Sequence, residues 1–235
     1  MTGTGEPIIF LHTGLQTGKA ELDLQREYFN QNYQVILPDL RGHGKSISDD
    51  FSDYFNRSAC DLAETLDALD LRSAHIVGCS LGALVGLVFA KQYSNMVSSL
   101  TLSGIMPEKP SDWEKINQNE TEQIEQVLKN PDTFNYFDTI HKGNWQALLK
   151  ITQDPDWYPF NTTSDLSMIH CPTLFIIGEQ NVNETIGAIK YPEMNPKIHT
   201  AVIPFAGHTV HLDRPEIYNE ILEIFLNGFA LNNED

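Results

Sequence analysis

The chain has 235 residues, which suits one domain of ordinary size with a small insertion. Its composition is 41% hydrophobic, 10% aromatic and 20% charged, and this excludes a disordered chain. The formal net charge of −17 argues against nucleic acid and anionic membrane surfaces as partners, because both would repel an acidic protein.

The three cysteines, Cys60, Cys79 and Cys171, are odd in number and contain no C-x-x-C pair. They argue against a disulfide framework and against a zinc module. No basic leader followed by an apolar stretch opens the sequence, so we predict a cytoplasmic protein with reduced thiols. The longest weakly polar stretch, residues 76–90, is shorter than the ~20 residues that cross a bilayer.

Short apolar runs alternate with helical stretches along the chain. The runs predict strands at 7–11, 34–38, 74–78, 99–103, 173–178 and 200–205, and the intervening patterns predict helices at 20–31, 57–69, 81–93 and 215–225. Strands without polar alternation are typical of a parallel sheet covered on both faces. The sequence therefore predicts an α/β fold with a mostly parallel central sheet and helices on both faces.

The alternation breaks once, between residues 106 and 168, where no convincing strand occurs. Residues 120–129 predict an amphipathic helix with Ile124, Val127 and Leu128 on one side. We therefore predict a core formed by 1–105 and 169–235, with 106–168 inserted as a helical cap. Most aromatic side chains of the cap should pack it onto the core, and a few should line an apolar pocket.

The strongest motif is Gly78-Cys79-Ser80-Leu81-Gly82, between a predicted strand and an apolar helix. A serine in this setting lies on a tight strand-to-helix turn with its hydroxyl above the sheet. The glycines leave room for the turn, and the Leu81 N–H at the helix start can face a developing oxyanion. The motif predicts that Ser80 is a nucleophile.

Four further motifs occur, two before the serine motif and two after it. They are the strand ending in His12-Thr13-Gly14, the loop Asp39-Leu40-Arg41-Gly42-His43-Gly44-Lys45-Ser46, the strand 173–178 followed by Glu179, and the turn Gly207-His208. With the serine motif, they make the chain resemble the α/β-hydrolase superfamily over nearly all of its core. The residues that precede the first buried strand are too few for the hairpin usual in the family, so we expect about six strands.

The resemblance implies a carboxylesterase-like serine hydrolase without a cofactor or metal, acting on a small-molecule ester, lactone or amide. Ser80 would attack the carbonyl, and His208 would take its proton and return it to the leaving group. The N–H groups of Gly14 and Leu81 would stabilise the oxyanion, and water would then hydrolyse the acyl-enzyme. The resemblance leaves the oligomeric state open.

The acid that orients His208 is the main departure from the family pattern, because Asn181 occupies the usual aspartate position. Asparagine can orient an imidazole but cannot balance the charge of an imidazolium. Glu184 is the first substitute, Glu179 the second, and Glu108 after the strand 99–103 a third.

Several other polar residues near these motifs have structural interpretations. His12 and His43 are expected to be hydrogen-bonded loop residues, and His211 is expected to pack locally rather than to bind a metal with His208. Cys79 should point into the core. Thr13, where the family usually has glycine, would narrow the oxyanion loop or donate its hydroxyl to a substrate.

Two classes of function follow from these residues. The first is the serine hydrolase described above. The second, motivated by Asn181, is a ligand-binding or catalytically impaired protein of the same fold, including the case in which Asn181 replaces a native acid. Loss of turnover on replacement of Ser80 distinguishes the first class from the second.

Overall fold

The structure, a computed structural model, describes residues 1–230. Six strands form one sheet: β1 (Glu6–Leu11), β2 (Tyr33–Ile36), β3 (Ala74–Cys79), β4 (Val97–Ser103), β5 (Thr173–Gly178) and β6 (Ile198–Ile203). Their order is β2-β1-β3-β4-β5-β6, and all five neighbouring pairs are parallel. The predicted fold class, a mostly parallel sheet between helices, is confirmed.

Twelve α-helices surround this sheet in the described part of the chain. They are α1 (Gly18–Glu21), α2 (Asp23–Phe29), α3 (Tyr54–Ala68), α4 (Leu81–Gln92), α5 (Trp113–Lys129), α6 (Pro131–Ile140), α7 (Trp145–Leu149), α8 (Phe160–Thr163), α9 (Val182–Thr185), α10 (Gly187–Met194), α11 (Val210–Asp213) and α12 (Pro215–Ala230). A central sheet with helices on both faces places two apolar layers in the core.

Alternate residues of β1 belong to these two layers, because successive side chains of a strand point to opposite faces. Ile9 and Leu11 pack in one cluster with residues of α3 and α4. Ile8 and Phe10 pack in the other with residues of α2 and α12. The strand is thus buried on both faces, as its unbroken apolar run predicted.

The first predicted helix and the last predicted strand differ from the structure. The predicted helix 20–31 is wrong as one element: Leu22, with φ −107° and ψ 21°, separates α1 from α2 while burying its side chain. The last strand begins and ends two residues earlier than predicted, at Ile198 and Ile203. It is an edge strand with several exposed side chains, so the prediction that helices cover both faces of every strand is wrong for this strand.

The segment 106–168 contains α5 to α8 and lies between β4 and β5. Helix α5 begins seven residues before the predicted helix, at Trp113, which is buried. Two of the three residues predicted to share one side of this helix, Ile124 and Val127, pack against a small cluster around Trp145, whereas the third, Leu128, is exposed. The division into core and cap stays a prediction, and its last residues, 231–235, lie outside the described residues.

The carboxyl ends of the parallel strands share one edge of the sheet. The loops after β1, β3, β4, β5 and β6 therefore meet there, and they carry Gly14, Ser80, Gly104, Glu184 and His208. Ligands of open α/β sheets bind at this edge. Within residues 1–230, no helix is both long and apolar enough to cross a membrane.

Candidate active site

Ser80 occupies a strained turn between β3 and α4. Its φ of 53° and ψ of −119° are unfavourable for a residue with a side chain. A Cβ on Gly78 would lie 2.5 Å from the Gly82 carbonyl oxygen, and one on Gly82 would lie 2.2 Å from the Leu11 carbonyl oxygen. The two glycines therefore permit the close contacts that hold Ser80 in this conformation.

Gly104, after β4, brings the Ser80 turn close to His208. A Cβ at Gly104 would lie 3.0 Å from His208 Cε1 and 3.1 Å from the Ser80 amide nitrogen. The Ser80 N–H donates to the Ser103 carbonyl oxygen at 2.9 Å, which ties the turn to β4. The Ser80 hydroxyl has no hydrogen bond to the rest of chain 1–230, and in unliganded sites such contacts are often long.

His208 contacts a buried carboxylate. Its Nδ1 is 2.6 Å from Oε1 of Glu184, and the Asn181 side-chain amide donates to the same oxygen at 2.6 Å. The Glu184 side chain is 2% exposed, whereas that of His208 is 45% exposed. With Nδ1–H donating to Glu184, Nε2 of a neutral His208 carries a lone pair and can accept a proton.

The pKa values of this pair follow from burial and mutual attraction. Burial raises the pKa of Glu184, and the hydrogen bond and charge of His208 offset this only in part. Burial alone would lower the pKa of His208, but the hydrogen bond and charge of Glu184 outweigh it and raise the pKa. An imidazolium at His208 is therefore stabilised by the carboxylate beside it.

The other candidate acids have different partners. Glu179 accepts a hydrogen bond from the Phe205 N–H at 2.7 Å. Glu108 forms an ion pair with Lys190 at the surface. Among the carboxylates considered from the sequence, Glu184 is the one that contacts His208 in the described chain. Asn181 contacts Glu184 rather than the imidazole.

The loop after β1 presents the Gly14 N–H towards the cavity beside Ser80 without an acceptor in the described chain. The Thr13 N–H donates to Glu21 Oε2 at 2.8 Å, and the Leu15 N–H donates to His43 Nε2 at 3.1 Å. Between them, the Gly14 N–H has no acceptor in residues 1–230, and Gly14 lines the same cavity as Ser80 and Leu81. Thr13 itself is buried, and its backbone N–H is held by the Glu21 carboxylate.

A second buried carboxylate–histidine pair lies behind this loop, and sequence reasoning missed it. Oε1 of Glu21 is 3.1 Å from Nε2 of His211, and the two side chains are 2% and 1% exposed. His211 packs against the nearby Tyr218 ring, as predicted, with centroids 5.9 Å apart, but its hydrogen-bond partner Glu21 is 190 residues away in sequence. Glu21 is the acidic residue of the short helix α1, and its burial became visible only in the structure.

Burial raises the pKa of Glu21, but the hydrogen bond and charge of His211 and the Thr13 N–H outweigh it and lower the pKa. Glu21 is thus held as a carboxylate. It connects the loop after β1 to helix α11, which follows the His208 turn.

Three buried histidines support the same loop from the other side. His12 and His43 have ring centroids 4.9 Å apart, and His43 and His141 have centroids 5.6 Å apart. Each accepts a backbone N–H: His12 from Leu40, His43 from Leu15, and His141 from Gly44. The structural interpretation of His12 and His43 is confirmed, and His141 extends the group into the segment 106–168.

These three histidines predict lower stability in acid. Burial lowers the pKa of His12, His43 and His141, so below about pH 6.5 the unfolded chain binds protons at these histidines more readily than the folded chain does. The free energy of unfolding should therefore fall as the pH decreases through this range. The raised pKa of His208 acts in the opposite direction. Urea unfolding at pH 7.5 and 5.5 measures the net difference.

His141→Asn is the matched variant for this measurement. The Asn side-chain oxygen takes the position of Nδ1, which accepts the Gly44 N–H at 2.8 Å, but it does not titrate. We expect the difference in stability between the two pH values to be smaller in this variant than in the unmodified protein. An unchanged difference would contradict the role given to His141.

Two cavities adjoin Ser80 and His208. One, of about 380 Å³, is lined by the Thr13–Leu15 loop, by Leu81 and by apolar residues of the segment 106–168, including Ile124 and Leu148. The other, of about 300 Å³, extends towards Met106, Tyr158 and Glu184. Trp157 lines both, whereas Trp113 and Trp145 are buried in packing.

Cys79 is buried beside the nucleophile turn, and burial raises the pKa of its thiol. This agrees with the prediction that it points into the core, away from the cavities. Within the described chain, no group of three or more His, Cys, Asp or Glu side chains is arranged to hold a metal ion.

Residues 6–137 match the family model described as the alpha/beta hydrolase fold. The chain therefore belongs to the α/β-hydrolase fold family, and the resemblance predicted from its motifs is confirmed.

Two of the relatives that this chain resembles have hydrolase or esterase names. Strigolactone esterase D14 of Arabidopsis thaliana is 32% identical over 147 residues, which cover 60% of this chain and 54% of that protein. Serine hydrolase BPHL of Mus musculus is 24% identical over 240 residues, covering 95% of this chain and 80% of that protein. The structure of NosK from Streptomyces actuosus superposes with a TM-score of 0.83 at 24% identity, over 95% of this chain and 98% of that one.

Proposed function

We propose that the protein is a serine hydrolase that cleaves a small ester, lactone or amide through an acyl-enzyme on Ser80. The observation that carries the proposal is the 2.6 Å contact between His208 Nδ1 and the buried carboxylate of Glu184, beside a serine on a strained turn. The hydrolase and esterase names of the relatives support the same class.

In this mechanism, Nε2 of His208 takes the hydroxyl proton as Ser80 attacks the substrate carbonyl. Glu184 holds the imidazole through Nδ1–H and stabilises the imidazolium. The N–H groups of Gly14 and Leu81 donate to the oxyanion of the tetrahedral intermediate. His208 then protonates the leaving group, and it later activates the water that releases the acyl group.

The binding-protein alternative rested on Asn181 at the usual acid position. Because Glu184 contacts His208 instead, Asn181 by itself is weak support for impaired catalysis. A folded protein that binds a ligand but does not react with a fluorophosphonate would support this alternative.

Labelling with a fluorescent fluorophosphonate tests the proposal directly. We expect rapid labelling of the unmodified protein, and loss of labelling in Ser80→Ala, because the nucleophile is absent. Any esterase activity found should fall by at least about 10³-fold in the same variant. Ser98→Ala is the matched control, since Ser98 is an exposed serine near the start of β4 and lines neither cavity. Absent labelling of a folded, unmodified protein, or activity retained in Ser80→Ala, would overturn the proposal.

A further inference from the structure

Glu120 is a charged side chain in the cavities that the mechanism does not use. It lies on α5 and lines both cavities together with Ser80, His208 and Trp157. Within the described residues, no lysine, arginine or histidine comes within ion-pair distance of its carboxylate, unlike Glu125 on the same helix, which pairs with Lys129.

The remaining lining of the cavities is free of fixed positive charge. The residues that line them in the described chain include no lysine and no arginine. Glu184 is the other carboxylate among the residues that line these cavities, and it is hydrogen-bonded to His208. A substrate with a carboxylate near Glu120 would therefore meet repulsion without a compensating cation.

The carboxylate of Glu120 is partly removed from water. Burial raises its pKa, and the nearby His208 offsets this only in part. A cationic ligand group would restore the interactions that the carboxylate loses on burial.

Trp157 adds a second group suited to a cation. Its side chain lines both cavities. Aromatic faces attract cations, and tryptophan does so most strongly. Glu120 and Trp157 thus border the same two cavities as Ser80.

We propose that Glu120 and Trp157 form a subsite for an ammonium group, so that the substrate is an ester or amide carrying a protonated amine. This inference rests on the proposed function, because it assigns the substrate class of the same site. Neutral substrates of the same shape are accepted less well, and carboxylates are excluded.

Competition against fluorophosphonate labelling tests the subsite without a known substrate. Benzylammonium, benzyl alcohol and benzoate have similar shapes and differ in charge. We expect benzylammonium to slow labelling at a concentration at least about 10-fold lower than benzyl alcohol, and benzoate not to protect. In Glu120→Gln the advantage of benzylammonium should disappear, while labelling without a competitor persists.

Glu122→Gln is the matched control. Glu122 is exposed on the same helix and lines neither cavity, so its replacement changes the net charge equally. The advantage of benzylammonium should persist in this variant. Equal protection by all three compounds, best protection by benzoate, or an unchanged advantage in Glu120→Gln would overturn the subsite while leaving the serine hydrolase intact. If the unmodified protein is not labelled at all, the proposed function fails first.

Discussion

Replacing Glu184 with Gln should lower kcat by about 10⁴-fold, the loss seen when the triad acid of a serine protease becomes an amide. Glu184 accepts from His208 at 2.6 Å, and its charge stabilises the imidazolium that forms during attack. Glutamine keeps the size of the side chain but removes that charge. Its amide can also face Nδ1 and impose the wrong tautomer.

The pH profile provides a second measurement on the same variant. Because Glu184 raises the pKa of His208, its replacement should move the acid limb of the labelling rate to lower pH. A change that affected only folding would lower the amplitude without moving this limb.

Three other variants make the experiment specific for Glu184. Glu108→Gln and Glu179→Gln should stay within a few-fold of the unmodified rate, because neither side chain contacts His208. Asn181→Asp should slow labelling by about 10-fold, since it places a second carboxylate where an amide donates to Glu184 at 2.6 Å. Faster labelling of Asn181→Asp, together with an unaffected Glu184→Gln, would instead assign the acid role to position 181.

Replacing Glu21 with Ala should lower the free energy of unfolding by about 3 kcal/mol or more, because it leaves His211 buried without its partner. It also removes the acceptor of the Thr13 N–H, which neighbours Gly14. We therefore expect the labelling rate and kcat to fall by at least about 10-fold with little change in KM, since the oxyanion stabilised by Gly14 forms only in the transition state.

Glu27→Ala is the control for this prediction, because Glu27 lies in the next helix and is 64% exposed. Its replacement should change neither stability nor rate appreciably. Glu21→Gln should recover part of both losses, since its carbonyl oxygen can still accept from Thr13. Urea unfolding and labelling rates measure the two effects, and a Glu21→Ala protein indistinguishable from Glu27→Ala would refute the role of the buried pair.

The fold and two of the site residues were predictable because their signals are local. An unbroken apolar run indicates a strand buried on both faces, and five residues from Gly78 to Gly82 indicate the strained serine turn. Gly207-His208 likewise indicated a turn that carries a histidine at the sheet edge. Each of these patterns lies within a few consecutive residues of the chain.

The partners of the two histidines were decided by the tertiary structure. His208 contacts a residue 24 positions away, and His211 contacts one 190 positions away. From the sequence, Glu184, Glu179 and Glu108 were all open candidates, and Glu21 was not considered. Which carboxylate reaches a histidine depends on the paths of separate loops, and these paths are set by the strand order and by packing across the sheet, neither of which a local pattern encodes.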